Sequence, residues 1–582
     1  MKSWKKIALE LFILIIITVP AFSCLLNNQY FAMHDDQHIA RLYLLDQGIK
    51  QGNLYPRWVG ELGFNFGYPL FNFYPPLVYY VAELFHFLGF SLILSIKLTF
   101  ILGFILSAIG IFYFLKRLIG RWPAFLGATL YSYFFYHAIN AYIRGALAEF
   151  FSMAILPFVF LTLDNLYKKT NSKNSLWFGL ILALLVLTHP LIAFPSLFFL
   201  GFFFIFYFFN HRKKLYFFVE TFIGSIYGLL LSAFFWLPSY VERKYTLVDN
   251  ILTKELANYK IHFIYLKQFW YSAWGYGGSI AGPNDGMTFQ LGKIHILLFS
   301  ISTILFIFYL LSKKKSLETI KYFIFFVFLL IFSLFMSSTP SVFIWDKIKY
   351  LWYLQFPWRF MTFTGFFISV IGGFLIFFIH ELLLKRLKKK TETIIIVLTI
   401  FLCAMTIIRY QKYFQVQGYL ASDDKKLTAF EEIAWRVSKT SFEFSPKGIK
   451  TAKTALGTAT IDLQKSQLTK DPFKILLLGK GSYQIKTTIN QFQKKEFNIK
   501  TSSSIQFRLN TFNFPGWKAY LDGKNITIDD KNDYKLIMVN IPKGQHQLTF
   551  IFSDTPARVI GNWLSIVSLV GLITTLIYLR KS

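Results

Sequence analysis

The sequence predicts a polytopic α-helical membrane protein of about twelve transmembrane helices, with a β-rich domain near its C-terminal end. Of its 582 residues, 55% are hydrophobic and only 16% are charged, whereas average soluble proteins carry about 25% charged residues. Apolar runs close to the roughly 20 residues that a bilayer crossing needs recur along the chain. One long polar stretch instead carries turn signals and alternating apolar residues, which is typical of strands.

Twelve apolar runs are predicted to cross the membrane. The first is followed by no small-residue cleavage pattern, so we expect it to be a retained helix. The crossings are predicted at 7–26, 94–115, 122–139, 150–166, 175–188, 191–209, 216–238, 293–311, 319–337, 358–384, 393–409 and 558–579.

Short clusters of Lys and Arg between these runs orient the chain. With twelve crossings every cluster lies on one side, which the positive-inside rule makes cytoplasmic. The apolar stretch 77–91 is short and contains Glu83 and His86, and counting it as a crossing would place the clusters between 116 and 390 outside. We therefore predict that it is an interfacial or re-entrant helix. The clusters lie at 2–6, 116–121, 168–173, 212–214, 313–315, 385–390 and 580–581.

The same clusters explain the formal charge of +31. Because much of the excess charge lies between membrane helices, it indicates a lipid bilayer as the partner and not a nucleic acid. The two cysteines, Cys24 and Cys403, offer neither a CxxC spacing nor a disulfide framework. Nothing in the sequence identifies a protein partner.

The predicted membrane crossings divide the chain into three units. Residues 1–409 form a transmembrane domain with an acidic first external loop (27–93), residues 410–557 form an extracytoplasmic β-rich domain, and residues 558–582 form a C-terminal transmembrane anchor. Within the second unit, Asp522-Gly523 predicts a tight hairpin and Pro542-Lys543-Gly544 a second turn. The polar stretch 423–447 is expected to be a helix lying against the membrane.

The tract His34-Asp35-Asp36-Gln37-His38 opens the first external loop. One interpretation is structural: either aspartate caps a helix that continues through Ile39, Leu42, Leu45 and Ile49. The other is catalytic: a carboxylate at the membrane surface takes a proton from a hydroxyl nucleophile, with Asp35 the first choice and Asp36 the second. His34 and His38 are four residues apart and, with a carboxylate, are a candidate site for a divalent cation.

Other external residues are candidates for substrate binding. Arg144 and Glu149 form either a loop ion pair or, respectively, a phosphate clamp and an assistant to the first-loop carboxylates. His189 either ends a helix before Pro190 or takes part in chemistry. Arg359, beside Trp358, is an interfacial anchor or a second phosphate clamp.

Aromatic-rich external segments add two further candidates. Arg57 lies within Pro56-Arg57-Trp58, and Trp274 lies in the segment 270–278, whose aromatic side chains either stack on sugar rings or form an interfacial belt. The chain has no GxGxxG, Walker, HExxH or GxSxG pattern in a persuasive context, so a nucleotide-dependent or serine-hydrolase mechanism has no support.

Several of these segments resemble bacterial membrane proteins that carry a 6-pyruvoyl-tetrahydropterin synthase-related domain. The resemblance covers most of residues 1–400, and the tail from Phe514 to His546 resembles the extracytoplasmic β domain of related glycosyltransferase-like proteins. The three zinc-binding histidines of soluble pterin synthases have no counterpart here. The segments that carry the resemblance are Met33 to Asp36, Pro56 to Trp58, Gly67 to Pro76, Arg144 to Glu149 and Phe356 to Arg359.

The wider similarity is to the GT-C glycosyltransferases. It implies transfer of a sugar, with inversion, from a polyprenyl-phosphate donor to an envelope acceptor on the outer face of the bacterial cytoplasmic membrane. It makes Asp35 or Asp36 the base and has Arg144 and Arg359 hold the lipid phosphate. The prenyl chain would enter a groove between the 77–91 helix and the His189 turn. Whether a divalent cation is required is left open.

Two other classes of function are alternatives. A lipid or polysaccharide transporter would need a polar path through the bundle, and the helix interiors contain few ionisable residues. A non-catalytic envelope-assembly protein would tolerate loss of Asp35 and Asp36 while depending on residues 410–557.

Overall fold

The computed structural model describes residues 3–251, 257–313, 315–387, 390–453, 459–478 and 480–581. The described helices of ten or more residues are α1 Ser3–Phe22, α2 His38–Lys50, α3 Leu77–Phe87, α4 Leu92–Ile119, α5 Arg121–Ser132, α6 Leu147–Lys168, α7 Ser172–Thr188, α8 Pro190–Asn210, α9 Lys214–Leu231, α10 Ala233–Glu242, α11 Lys293–Leu310, α12 Leu317–Ser337, α13 Met361–Leu387, α14 Lys390–Tyr410 and α15 Pro556–Lys581.

Ten helices among the described residues are long and apolar enough to cross a bilayer: α1, α4, α6, α8, α9 and α11 to α15. The chain is therefore a polytopic helical membrane protein, as predicted. The other two predicted crossings are shorter helices of the same bundle. Helix α5 has 12 residues and is followed by a π-helical segment at Ile139–Ile143, so 122–139 is not one continuous helix. Helix α7 has 17 residues and packs against α6 and α9.

The bundle is organised around α6 and α13. The apolar windows of these helices are 83% and 89% buried, whereas that of α15 is only 22% buried. A helix that is apolar on all sides is stable only where neighbours or lipid surround it, so α6 and α13 occupy the interior and α15 lies at the periphery. Phe160, Phe366 and Phe367 form ring contacts between these two central helices.

The first external loop is ordered by contacts with distant parts of the chain. Strand β1 Tyr30–Phe31 pairs antiparallel with β2 Tyr419–Leu420. The stretch predicted to be interfacial contains the 11-residue helix α3, which is too short to span a bilayer. Helix α3 leaves Phe87 82% exposed, as expected of an apolar helix that lies at a lipid surface.

The C-terminal part contains two facing antiparallel sheets. One has the order β10-β9-β12-β7-β6 and the other β11-β8-β5, and aromatic side chains such as Phe497, Phe507 and Phe550 pack between them. A two-stranded sheet, β3-β4, precedes them. The strands are β3 Thr451–Lys453, β4 Ala459–Ile461, β5 Phe473–Leu477, β6 Tyr483–Asn490, β7 Lys494–Thr501, β8 Ile505–Phe512, β9 Trp517–Leu521, β10 Lys524–Ile526, β11 Leu536–Ile541 and β12 Gly544–Phe552.

Both turns predicted from the sequence are confirmed. Asp522 and Gly523 have φ of 51° and 78° and connect β9 to β10, which is the backbone that a two-residue hairpin requires. The Pro542 turn connects β11 to β12, but these strands belong to different sheets, so it is a crossing between sheets.

The stretch 423–447 does not form one helix. It consists of a single helical turn at Asp424–Leu427, a π-helical segment at Glu432–Val437, a short helix at Ser438–Thr440 and a turn that contains Glu443 and Phe444. The Tyr68 hydroxyl accepts a hydrogen bond of 3.0 Å from the Phe444 backbone N–H, and the rings of Phe73 and Phe444 stack 5.0 Å apart. This stretch therefore packs against the first external loop, ahead of the sheets.

Candidate functional site

A cavity of about 1070 Å³ lies between the first external loop, helices α6 to α10 and the run before β3. Its larger part is apolar and follows α8 from Leu191 to Phe204, which at 1.5 Å per residue is about 20 Å. Leu197 and Phe222 line this part and are 56% and 57% exposed, so it is an open groove on the bundle. Its apolar lining includes Phe178, Leu182, Val186, Leu191, Phe194, Leu197, Leu200, Phe204, Phe218, Phe222 and Leu229.

The end of the cavity at the first external loop is polar. Helix α3 contributes no lining residue, so the groove lies among α7, α8 and α9 and not beside the 77–91 helix as the sequence predicted. The His189 turn, the other predicted border, does line it. The charged and polar groups at this end include Asp35, Gln37, Arg41, Tyr74, Arg144, Glu149, His189, Gln355, Arg359 and Glu443.

The structure distinguishes the two aspartates of the first loop. Asp35 lines the cavity, and its backbone N–H donates a 2.8 Å hydrogen bond to the carbonyl of Arg144. Its carboxylate makes no hydrogen bond or ion pair with any described residue. Asp36 is absent from the lining, and its Oδ2 lies 2.8 Å from Nη1 of Arg436. Of the two aspartates, only Asp35 therefore presents its carboxylate to a molecule in the cavity.

Helix capping does not account for either aspartate. Helix α2 begins at His38, and the residue that precedes it is Gln37, whose side chain makes no capping hydrogen bond. Gln37 instead donates a 2.8 Å hydrogen bond to the Thr440 hydroxyl. The structural interpretation of this tract as a helix cap is wrong.

Glu149 holds two arginines in the cavity wall. Its Oε2 lies 2.9 Å from Nη1 of Arg144 and 3.1 Å from Nε of Arg359, and its Oε1 accepts a hydrogen bond from the Tyr136 hydroxyl. Glu149 is only 1% exposed. Nη1 of Arg359 also donates to the Leu354 carbonyl over 2.6 Å. We define these three charged residues, Arg144, Glu149 and Arg359, as the Glu149 cluster; its net charge is positive by one.

His189 lines the cavity at the turn between α7 and α8. Its Nδ1 is buried and has no hydrogen-bond partner among the described residues. Burial lowers the pKa of this imidazole, and the Glu149 carboxylate offsets part of that effect. At neutral pH the side chain is therefore a neutral group beside the cluster.

The two histidines of the acidic tract, His34 and His38, do not form a metal site in this structure. His38 is buried, and both ring nitrogens are engaged, Nδ1 with the Tyr79 hydroxyl at 2.9 Å and Nε2 with the Gly145 carbonyl at 2.5 Å. His34 contacts the Tyr276 carbonyl at 2.9 Å and is not in the cavity lining. The described residues contain no group of three or more His, Cys, Asp or Glu side chains placed to hold a metal ion.

Arg57 and Trp274, both predicted to bind substrate, lie outside the cavity lining. Nη2 of Arg57 donates 2.8 Å hydrogen bonds to the Phe234 carbonyl and to the Asn562 amide oxygen, so it connects the first loop to α10 and α15. Trp274 packs its ring against Tyr413, 5.1 Å away, and also against Phe135 and Tyr276.

Sequence reasoning missed several polar groups of the cavity, among them Arg41, Tyr74 and Glu443. Gln37 and Arg41 are four residues apart on one face of α2, which was a usable signal. Tyr74 lay within a segment noted only for its aromatic residues. Glu443 had no local signal, because it reaches the cavity from beyond the transmembrane half. Burial raises the pKa of Glu443 above its usual value, and the Arg41 charge offsets part of that rise.

The fold and the cavity define a polytopic membrane protein with a polar site at the end of an apolar groove. A family model described as the 6-pyruvoyl-tetrahydropterin synthase related domain, a membrane protein, matches residues 71–415, more than half of the 582-residue chain. The chain belongs to this family. Thr440 and Glu443, which also line the cavity, lie outside the matched segment.

Two solved structures of the arabinofuranosyltransferase AftD from mycobacteria, one of them a mutant form, are similar to the chain. The identities are 12% and 11%, and the TM-scores are 0.42 and 0.46. Each similarity covers 72% of this chain, which spans only 28% and 29% of the AftD chains. Comparison with curated proteins found no match.

Proposed function

We propose that the protein is a GT-C-type membrane glycosyltransferase that transfers a sugar from a polyprenyl-phosphate donor to an envelope acceptor on the extracytoplasmic face. One observation carries the proposal: a single cavity joins a carboxylate without an ion pair, Asp35, to several arginines and to an apolar groove about 20 Å long. The three parts match those of the proposed donor: the groove fits the prenyl chain, the arginines fit the phosphate, and Asp35 lies where the sugar would be transferred.

In the proposed reaction Asp35 acts on the acceptor. Its carboxylate takes the proton of an acceptor hydroxyl, whose oxygen then attacks the anomeric carbon and forms the new glycosidic bond with inversion. The bond between that carbon and the phosphate oxygen breaks, and its electron pair leaves with polyprenyl phosphate. The products are the glycosylated acceptor, polyprenyl phosphate and one proton held by Asp35.

Arginines stabilise the phosphate as it gains charge. Nη2 of Arg144 and Nη2 of Arg359 make no hydrogen bond with a described residue, so each guanidinium keeps a donor for the substrate while Glu149 fixes its position. The Glu149 oxygens already accept from Arg144, Arg359 and Tyr136. We therefore give Glu149 a positioning role instead of the role toward the acceptor that the sequence predicted.

Mass spectrometry of lipids that co-purify with the full chain tests the donor assignment. We expect a polyprenyl-phosphate sugar with the wild type, and its loss in Gly201→Trp. Gly201 lines the groove and a Cβ there would meet no atom within 4 Å, so the new side chain starts in open groove space. Gly278→Trp, at a second open glycine outside the cavity lining, is the control. Recovery of ordinary phospholipids alone would contradict the proposal.

Cysteine labelling tests the extracytoplasmic placement. The native Cys24 and Cys403 are both buried, so an impermeant thiol reagent should find little background. We expect Asn284→Cys to react from outside intact cells and Ser316→Cys to react only after permeabilisation. The predicted topology places these two positions on opposite sides of the membrane. The reverse pattern would mean that the polar end of the cavity faces the cytoplasm.

A further inference from the structure

Arg41 differs from the other buried arginines of the cavity in having no acidic partner. It lies on α2, lines the polar end and is 5% exposed. No carboxylate of the described residues comes within 4.0 Å of its guanidinium. Arg144 and Arg359, by contrast, both lie within 3.1 Å of Glu149.

The neighbours of Arg41 hold its guanidinium in place without neutralising it. The guanidinium carbon lies 4.0 Å from the centre of the Tyr74 ring, and Nη2 donates to Oε1 of Gln37. The Gln37 amide is itself anchored by Thr440 over 2.8 Å. Contacts of 3.4 Å join the guanidinium to the hydroxyls of Tyr79 and Ser441. All of these groups are neutral. They therefore fix the orientation of the guanidinium without compensating its positive charge.

One donor of Arg41 also has no partner. Its Nε is buried and makes no hydrogen bond with a described residue. A buried charge lowers the stability of the fold unless it is paired, and a buried N–H donor without a hydrogen bond lowers it further. Glu443 faces the same cavity, but it does not come within ion-pair distance. An anion in the cavity would compensate the charge of Arg41.

We infer that Arg41 is the primary binding group for the phosphate of the lipid-linked donor, and that the Glu149 cluster, which lines the same cavity, supports it. The inference rests on the proposed function for the nature of the substrate. Phosphate is the chemistry that fits: a planar guanidinium fixed by stacking binds phosphate oxygens through paired N–H donors.

Binding of undecaprenyl phosphate to the full chain tests the inference. The chain is placed in nanodiscs of phosphatidylcholine, and lipid binding is followed by native mass spectrometry. We expect Arg41→Gln to weaken binding at least about tenfold, because a charge-assisted contact is lost. Undecaprenol, which has the same chain and no phosphate, should bind the wild type and the variant equally.

Arg436→Gln is the matched control, because it removes one positive charge on the same face, outside the cavity lining. It should leave binding unchanged. Inorganic phosphate at 10 mM (about the millimolar range of weak single-site binding) is a second probe that separates a free ion from a lipid headgroup. Binding of inorganic phosphate that requires Arg41, together with lipid binding that does not, would overturn the assignment to the donor.

A structure of the wild type with undecaprenyl phosphate keeps the inference testable if Arg41→Gln does not fold. We expect the phosphate within hydrogen-bond distance of the Arg41 guanidinium. A phosphate held only by Arg144 and Arg359 would overturn the inference. Its failure is distinguishable from failure of the proposed function: a transferase whose lipid binding ignores Arg41 refutes the inference alone, and Arg41-dependent binding without any sugar transfer refutes the function alone.

Discussion

The two polar walls of the cavity satisfy their charges in different ways. On the α6 and α13 side, Glu149 binds Arg144 and Arg359 directly, and Tyr136 completes its hydrogen bonding. On the first-loop side, Asp35 and Arg41 line the same cavity without an ion pair to any described residue. Charged side chains that pair with one another hold their wall rigid, whereas charged side chains without an ion pair are available to bind a substrate. The difference agrees with the proposal that the first wall is structural and that the second contacts the substrate.

The largest expected effect separates Asp35 from its neighbour. Asp35→Asn keeps the size of the side chain and removes the base, and loss of a general base costs about 10² to 10⁴ in rate. Asp36→Asn removes only a half-exposed ion pair with Arg436, worth about 1 kcal/mol or less. Sugar transfer by reconstituted protein measures both. Equal activity of the two variants would contradict the role of Asp35 as the base and leave the first-loop wall without a catalytic group.

The next effect concerns stability. Glu149→Gln leaves two buried arginines without their carboxylate, and breaking a buried pair in this way costs about 3–5 kcal/mol. We expect a clear fall in the Tm of the purified protein in detergent. Glu318→Gln, the same change at an exposed position in the first turn of α12, should shift the Tm little. An unchanged Tm for Glu149→Gln would mean that the Glu149 cluster does not stabilise the fold.

The smallest effect concerns Glu443, which faces Arg41 across the first-loop side. Glu443→Gln removes a negative charge that opposes an anionic ligand, so undecaprenyl phosphate should bind about fivefold more tightly, equivalent to roughly 1 kcal/mol. Weaker binding would instead make Glu443 a substrate contact.

The same variant gives a pH test. Burial raises the folded-state pKa of Glu443 above its unfolded value, so its contribution to stability falls as pH rises from the unfolded pKa through the folded one. Above that interval the buried carboxylate is charged in the folded state, at a cost that the amide of Gln avoids. Glu443→Gln should therefore raise the Tm at pH 8 and change it least near pH 4, measured on the same preparation.

Much of the fold could be predicted because its signals are local. A bilayer crossing needs a long apolar run, and a two-residue hairpin needs residues such as Asp522-Gly523, so both are visible in short windows. The break after Ser132 was not visible, because the segment stays apolar and aromatic through the π-helical turn.

The site was predictable only in part, for the same reason. The acidic tract and the arginines of the Glu149 cluster were recognised as polar groups beside membrane helices. The choice between Asp35 and Asp36 depends on Arg436, which is 400 residues away in sequence. Arg41 was overlooked because its significance lies in the lack of an acidic partner, which only the folded chain displays.

The run from Thr440 to Phe444 gives the C-terminal part a physical route to the membrane site. It supplies Glu443 to the cavity, anchors Gln37 behind Arg41, and then leads through a short stretch into β3. A tilt of the sheets would therefore move this run and, with it, the polar groups at the first-loop end of the cavity. The sheets and this end of the cavity would then move together, so that a molecule bound to the sheets would alter the contacts that the cavity offers to its own ligand.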